Sequence, residues 1–358
     1  MSFPVEIIID ILLRLPAKSL IRFKSVCKSW YELINGVDFV NRHLERSLAT
    51  QTNLHFVYNA HDTLCMADFD SFNKPIELNY PFRDSVMVVG SFNGLLCLQS
   101  SNQRPLVIYN PTTQTYKKLP LLGKSASFDH LRSMWHFGFG YDSIARDYKC
   151  VSVIQCGNGN GYRMGPFENE VMVYSLKDDS WRKARTPSVP FNFGYRRNVF
   201  VNDSIHWVGG VNENVAIVAF DLRDETFSTL PIPDCDSLNR RGMYVGILDG
   251  CLCLSISYNE LRDSDIWVMR EYGVAGSWTK LFSIAKRNGH DAVERPVCYS
   301  INLKELFVHM SFICEVASIN LDTMEISIVK GPDFNFCTNA HVCVENLLML
   351  EDSNCEWT

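Results

Sequence analysis

Thirteen cysteines, nine histidines and the Ser-x-x-Lys pattern that begins at Ser25 are among the places in this 358-residue chain where reactive side chains could combine. Cys251 and Cys253 lie two apart in the run Asp249-Gly250-Cys251-Leu252-Cys253-Leu254, so they share one face of a strand and could offer two thiolates. No C-x-x-C or His-x-x-x-His pair supplies the rest of a metal set, and cysteine is a common core residue, so packing is the preferred reading. Gly157-Asn158-Gly159-Asn160-Gly161 is glycine-rich, but it lacks the strand before and helix after that let such a run cradle phosphate; it reads as a hairpin loop. No serine occupies a G-x-S-x-G elbow, and the histidines are scattered. Ser25-Val26-Cys27-Lys28 matches S-x-x-K by accident, because it falls inside a helical pattern. The aromatic residues that recur later could form a sugar platform, but their periodic placement assigns them to the core. No enzyme, cofactor or metal is therefore predicted, and function is sought in surfaces that bind.

Composition narrows the partners. The net charge of −6 argues against nucleic acid, whose binders carry a basic face. No run reaches the roughly 18 apolar residues that a membrane helix needs, so no membrane is expected. The apolar stretch from Met1 to Leu15 is interrupted by Glu6 and Asp10, with no basic segment before it and no cleavage site after it, so it does not read as a signal peptide. An odd number of cysteines in such a chain reads as reduced thiols of the cytoplasm or nucleus.

The elements that carry these residues divide near position 50. Residues 1–46 are helical in pattern. Pro4 suits a first helical position, and Ile8, Ile11, Leu12 and Leu15 form one apolar stripe that Pro16 ends. Ser19 to Phe23 predicts a short second helix. Val26, Cys27, Trp30, Leu33 and Ile34 predict a third, stopped at Asn35-Gly36, and Asp38 could cap a last turn carrying Phe39, Val40 and Leu44. Three helices of about 45 residues bury too little surface to be comfortable alone. Ile7, Ile9 and Leu13 lie off the main stripe, so apolar side chains point in more than one direction, and they either pack on the following domain or form an interface.

Residues 50–350 repeat a two-part β unit. The first part is a turn and a buried strand, as in Asn93-Gly94-Leu95-Leu96, Asn202-Asp203-Ser204-Ile205 and Asp249-Gly250-Cys251-Leu252, where the turn pairs suit positive φ. The second is a strand, a polar turn and another strand. Its anchors Tyr109, Tyr174, Phe220, Trp267 and Ile319 are spaced 65, 46, 47 and 52 positions apart. That period predicts blades of four strands in a β-propeller. Five blades run from Val86 to Lys330, and Leu54 to Leu78 supplies three strands of one more. The tail from His341 to Leu350 is expected to complete that first blade, because a ring must remove its exposed edges. Six blades are predicted, or seven if the stretch after residue 120 hides a short unit.

Both segments resemble known families. Phe3-Pro4 through Ile11-Leu12, then the unbroken run from Leu15-Pro16 through Val26-Cys27-Lys28 to Trp30, with Leu33-Ile34, closely resembles the F-box of plant F-box proteins. Phe3-Pro4 stands where Leu-Pro is usual, and Asp38 where many members have proline. Tyr109-Asn110-Pro111-Thr112-Thr113, Phe139-Gly140-Tyr141-Asp142 and Trp267-Val268-Met269-Arg270 resemble the F-box-associated interaction domain of plants, a pairing shared with pollen S-locus F-box proteins and with plant regulators of immune-receptor abundance. Only Gly209-Gly210 is similar to the double glycine of kelch blades.

The resemblance implies a mainly β protein with a small α N-terminal domain: a three-helix F-box, residues 1–46, that docks on the adaptor Skp1, and a target-binding propeller, residues 50–350. It implies that Pro4, Ile8, Ile11, Leu12, Leu15, Pro16, Leu20, Val26, Cys27, Trp30 and Leu33 form the adaptor face or the core beneath it. Arg14, Lys18, Arg22, Lys24 and Lys28 fall in a stretch without acids and would form a basic rim for an acidic adaptor. The long connections Gly157–Asn169, Pro187–Asn198 and Ile284–Glu294 are expected to be the loops that choose an unknown target. Tyr162, Arg163, Arg196, Arg197, Arg240 and Arg241 are the contact candidates, since tyrosine and arginine are enriched in hot spots. The expected role is the non-catalytic substrate receptor of a cullin-RING ubiquitin ligase. A scaffold or inhibitor that engages Skp1 without directing degradation is the alternative, with a propeller lectin or hydrolase third.

Overall fold

The computed structural model describes residues 4–60, 63–68, 71–101, 105–122, 133–157, 167–187, 191–211, 214–235, 240–258, 264–284, 293–300, 302–310, 316–329 and 337–351. They fall into two compact units, one within Met1–Leu119 and Thr338–Thr358, the other within Pro120–Val329.

The first unit begins with four helices rather than three: α1 (Val5–Leu13), α2 (Ala17–Phe23), α3 (Lys28–Asn35) and α4 (Val37–Thr50). Pro4 and Pro16 sit immediately before α1 and α2 with φ of −54° and −59°, where a fixed φ and a missing N–H cost nothing. Val26 and Cys27 precede α3 instead of opening it. Cys27 is extended at φ −160°, and its Sγ lies 3.2 Å from the Ser29 hydroxyl, so the chain turns there before the helix starts. Gly36 separates α3 from α4, and Asp38 lies inside the first turn of α4 rather than capping it. The last predicted turn is thus a 14-residue helix, because Phe39, Val40, His43, Leu44 and Ser47 make a continuous buried face that the pattern around Asp38 understated.

The β residues form six four-stranded antiparallel sheets, the blades of a six-bladed propeller. The first sheet is completed by Cys337–Val344, which pairs beside Leu54–Ala60, followed by Thr63–Asp68 and Ser71–Glu77. The tail closes the first blade as expected, but the strand is shifted from the expected His341–Leu350: only 341–344 of that stretch lies in it, and 345–350 has no regular secondary structure. Five consecutive meanders follow within 86–118, 133–183, 191–230, 240–284 and 293–328. Their tight turns take the predicted backbone: Asn93 and Gly94 have φ of 49° and 79°, Asn202 and Asp203 of 52° and 56°, and Asp249 and Gly250 of 50° and 72°.

Tyr109, Tyr174 and Phe220 are fully buried and Ile319 nearly so. Trp267 differs. A register shift between Ile266 and Trp267 leaves it half-buried, with the Lys280 Nζ 5.3 Å from its ring centroid. The Pro187–Asn198 connection is also corrected. From Phe191 the chain is a strand, Phe191–Val201, that pairs with Ser204–Val211 and bulges between Phe193 and Asn198. A bulge lets a stretch with two prolines, two asparagines and a glycine end as a strand, which its composition hid.

Candidate interaction surfaces

The helical core decides which apolar side chains are left over. Leu12, Leu13, Ala17, Leu20, Ile34, Phe39 and Val40 are buried together, with Ile8, Ile9, Leu15, Ile21, Phe23, Trp30 and Leu33 packed at the margin. Phe23 and Trp30 place their rings 5.5 Å apart. The buried His43 brings its Nε2 to 2.9 Å from the Leu15 carbonyl, which ties α4 to the α1–α2 connection.

The predicted stripe of α1 is therefore split. Leu12 turns inward with Leu13, while Ile11 is 54% exposed and Ile7, one turn before it, 48%. Val5 is 56% and Val26 61% exposed, and Pro4, Pro16 and Cys27 are exposed as well. Of the implied adaptor residues, Leu12 and Leu20 belong to the supporting core. Ile8, Leu15, Trp30 and Leu33 are half-buried at its edge, and Pro4, Ile11, Pro16, Val26 and Cys27 face solvent. Val5 and Ile7 were absent from the implied set, and the place of Ile7 off the main stripe was the available signal. The exposed Cys27 thiol is held below the ordinary thiol value by its hydrogen bond with Ser29, assisted by the Trp30 backbone.

The basic rim is thinner than the sequence suggests. Arg14 pairs with Asp10 at 2.7 Å and Lys28 lies 3.8 Å from Glu32, both one helical turn away. Exposed pairs of this kind contribute little to stability but dilute the positive field. Lys18 and Arg22 are exposed, and Lys24 is half-buried, with burial lowering its ammonium below the usual lysine value.

The target candidates fare differently. Arg197 sits just before the register resumes at Asn198, and its Nε lies 2.9 Å from Glu294 Oε1. The other carboxylate oxygen accepts from His309 Nδ1 at 2.8 Å. Burial pushes Glu294 up, but His309 and Arg197 outweigh it and leave the carboxyl below its usual range; burial lowers the His309 imidazole below its ordinary value. Arg197 is thus engaged in a largely buried cluster. Arg196 belongs to the same strand, and Arg240 and Arg241 open the strand Arg240–Leu248, where pairing with Cys251–Tyr258 bulges between Arg240 and Gly242. The side chains of these three, and all of Tyr162 and Arg163, lie outside the described residues, as do 158–166 and 285–292 of the predicted loops.

Of the groups considered for chemistry, Cys253 and His206 are packed, whereas Ser25 is exposed. Cys253 is buried beside the half-buried Cys251 in an apolar cluster with Leu248, Ile266 and Val268, and burial pushes its thiol far up. The Ser25 hydroxyl donates to the Arg22 carbonyl. His206 is buried against the Tyr272 hydroxyl at 2.7 Å. Among the described residues no helix is long and apolar enough to cross a membrane.

The F-box domain family matches residues 1–42, and the F-box associated beta propeller domain family matches residues 50–331. The chain is a plant-type F-box protein. It is 32% identical over 375 aligned positions to the F-box protein CPR1 of Arabidopsis thaliana, covering 97% of this chain and 89% of that one. It is 31% identical over 375 positions to the F-box/kelch-repeat protein At3g23880 of the same plant, covering 98% and 96%. In this F-box protein the solvent-facing set of Pro4, Val5, Ile7, Ile11, Pro16, Val26 and Cys27 lies within the F-box itself, and F-box proteins as a family are generally non-catalytic adaptors.

Proposed function

We propose that this protein is the substrate-recognition subunit of an SCF-type, Skp1-cullin-F-box, ubiquitin ligase of the cytoplasm or nucleus. The observation that carries the reading is the division of the F-box apolar residues. One set is consumed by the chain's own core, and a second set, centred on Ile7, Ile11 and Val26, is left in water. Exposed apolar side chains held on a rigid core are what a partner surface requires, and here the partner is a Skp1-type adaptor. Lys18 and Arg22 beside them would speed encounter with an acidic adaptor.

The propeller would then hold a target protein while the cullin-RING partners supply the chemistry. Its contribution is proximity: a target lysine is kept near a charged thioester, which raises effective concentration without a general base on this chain. Cys253, His206 and His309 are committed to packing or to internal hydrogen bonds, which supports a non-catalytic role for the propeller.

The test is co-purification of the full chain with recombinant Skp1. Ile11→Asp and Val26→Glu, both on exposed positions, should leave the melting temperature unchanged and reduce capture at least about tenfold, since charge placed in an apolar contact costs more than 1.4 kcal/mol. Capture equal to that of the wild type would overturn the reading. If the variants lose Skp1 but target abundance in the plant does not rise, the degradative role fails and a Skp1-linked scaffold takes its place.

A further inference from the structure

The helical core contains one residue from the far end of the chain. Leu347 is buried among Leu12, Leu13, Leu20, Ile34 and Phe39, and Leu348 packs at the margin. Two positions earlier, Glu345 Oε2 accepts the Ala17 N–H that opens α2 at 2.6 Å, and its Oε1 lies 3.2 Å from His55 Nε2. The segment 345–350 has no regular secondary structure; the Glu345 N–H donates to the Asn53 carbonyl at 2.8 Å, and beyond that bond side chains hold the segment.

Those side chains come from a turn of the second blade, in the stretch Asn110-Pro111-Thr112-Thr113. Asn110 Nδ2 donates to the carbonyls of Asn346 at 2.9 Å and Leu348 at 2.7 Å. Thr112 Oγ1 accepts the Asn346 N–H at 3.1 Å, Thr113 Oγ1 donates to the Leu348 carbonyl at 3.3 Å, and Thr115 Oγ1 accepts the Leu350 N–H at 3.0 Å. Asn346 Nδ2 reaches the Asn93 carbonyl at 2.7 Å. At Gly94 the approach is so close that a Cβ would lie 2.2 Å from the Val344 carbonyl oxygen.

The other blades supply an internal control. Asn320 occupies the matching position in the sixth blade, and its Oδ1 accepts the N–H groups of Asp322 and Thr323; Asp221 does the same for Arg223 in the fourth. These side chains shape their own turns. Asn110 does this too, through Oδ1 to Thr112 and Thr113, and in addition spends its amide donor on the distant segment.

We propose that this turn is a clamp for residues 345–350, and that the clamped segment finishes the F-box core and so sets whether the F-box can dock its adaptor. The docking half rests on the function proposed above; the clamp does not. Asn110→Asp is the discriminating variant. Asp221 shows that aspartate supports the turn, but it has no donor for the two carbonyls. Leu347→Ala is the second, since it leaves the clamp intact and opens a void in the helical core.

Hydrogen exchange of the full chain decides it. In both variants the amides of 5–23 should exchange about tenfold faster or more, through local opening of the helices, while those of 204–211 are unchanged. Skp1 capture should fall in parallel. Unchanged exchange of 5–23 in both variants overturns the clamp. Faster exchange with undiminished Skp1 capture supports the clamp and overturns its control of docking. A wild-type chain that captures no Skp1 overturns the ligase reading, and the exchange comparison still decides the clamp.

Discussion

In the blades Tyr109, Tyr174 and Phe220 have no surface left, whereas the helices leave Ile7, Ile11 and Val26 in solvent and borrow Leu347 to close their core. The difference follows from how each region is assembled. In the five blades after the first, strands consecutive in sequence are neighbours in the sheet, so most apolar positions meet partners nearby in sequence, although Cys343 from the tail also joins the cluster around Tyr109. Four short helices have too little surface to do this, and they finish their packing on a segment about 330 positions away, as the Ala17 to Glu345 bond, 328 residues apart, shows. A region that completes itself is suited to holding its shape, and one that does not is suited to meeting another chain.

The contrast can be broken most severely in the blades. Lys149, almost without exposed surface, places Nζ 2.7 Å from Asp142, 2.7 Å from the Leu222 carbonyl and 3.2 Å from Glu225. Burial raises Asp142, but the Lys149 hydrogen bond and the backbone N–H groups of Ala145 and Ile144 outweigh it and hold the carboxyl below its usual range. Lys149→Met should cost about 3–5 kcal/mol in urea unfolding, because the buried Asp142 loses its counterion, while Glu225 keeps the Arg182 guanidinium. The helical exchange at 5–23 should not change below the transition.

Within the helices the expected effect is smaller and depends on direction. Leu20→Ala, in the core, should cost about 2–5 kcal/mol, measured as loss of exchange protection in α1–α3. Val26→Ala, on the exposed side, should lie within about 0.5 kcal/mol of wild type. Equal costs for the two would erase the distinction between core and surface.

The gentlest test is pH. His206 in the fourth blade is pulled down to about 4 by burial. Between that value and the ordinary 6.5 the unfolded chain binds a proton that the folded chain does not, so stability should fall as pH drops through this window. The effect is on the order of 3 kcal/mol at 1.36 kcal/mol per unit. His206→Gln should flatten the slope of stability between pH 4 and 6.5. A slope that persists unchanged would assign it to another group.

Much of this was legible from local pattern. Asn93-Gly94 and Asp249-Gly250 announced their turns because only a few residue types tolerate positive φ, and the spacing of Tyr109, Tyr174 and Phe220 counted the blades. Leu15-Pro16 and Asn35-Gly36 marked helix boundaries to within a residue or two. The Arg197 candidate shows where pattern stopped. An arginine in a stretch of proline, asparagine and glycine reads as a loop contact, but from Phe191 the stretch is a bulged strand and the guanidinium is tied to Glu294. Composition reports turn-forming residues and carries no record of a partner about a hundred positions away.

The residues themselves therefore determined the helices, the hairpins, the six-fold β repeat and the family, since these depend on interactions between near neighbours in the chain. Only the tertiary structure decided which flank of α1 stays wet, how Trp267 is half-covered by a register shift, and why Asn110 and Asn346 must meet. Such outcomes depend on contacts between positions as far as 328 residues apart, and a side chain that bonds a distant backbone carbonyl leaves no periodic trace in either stretch of sequence.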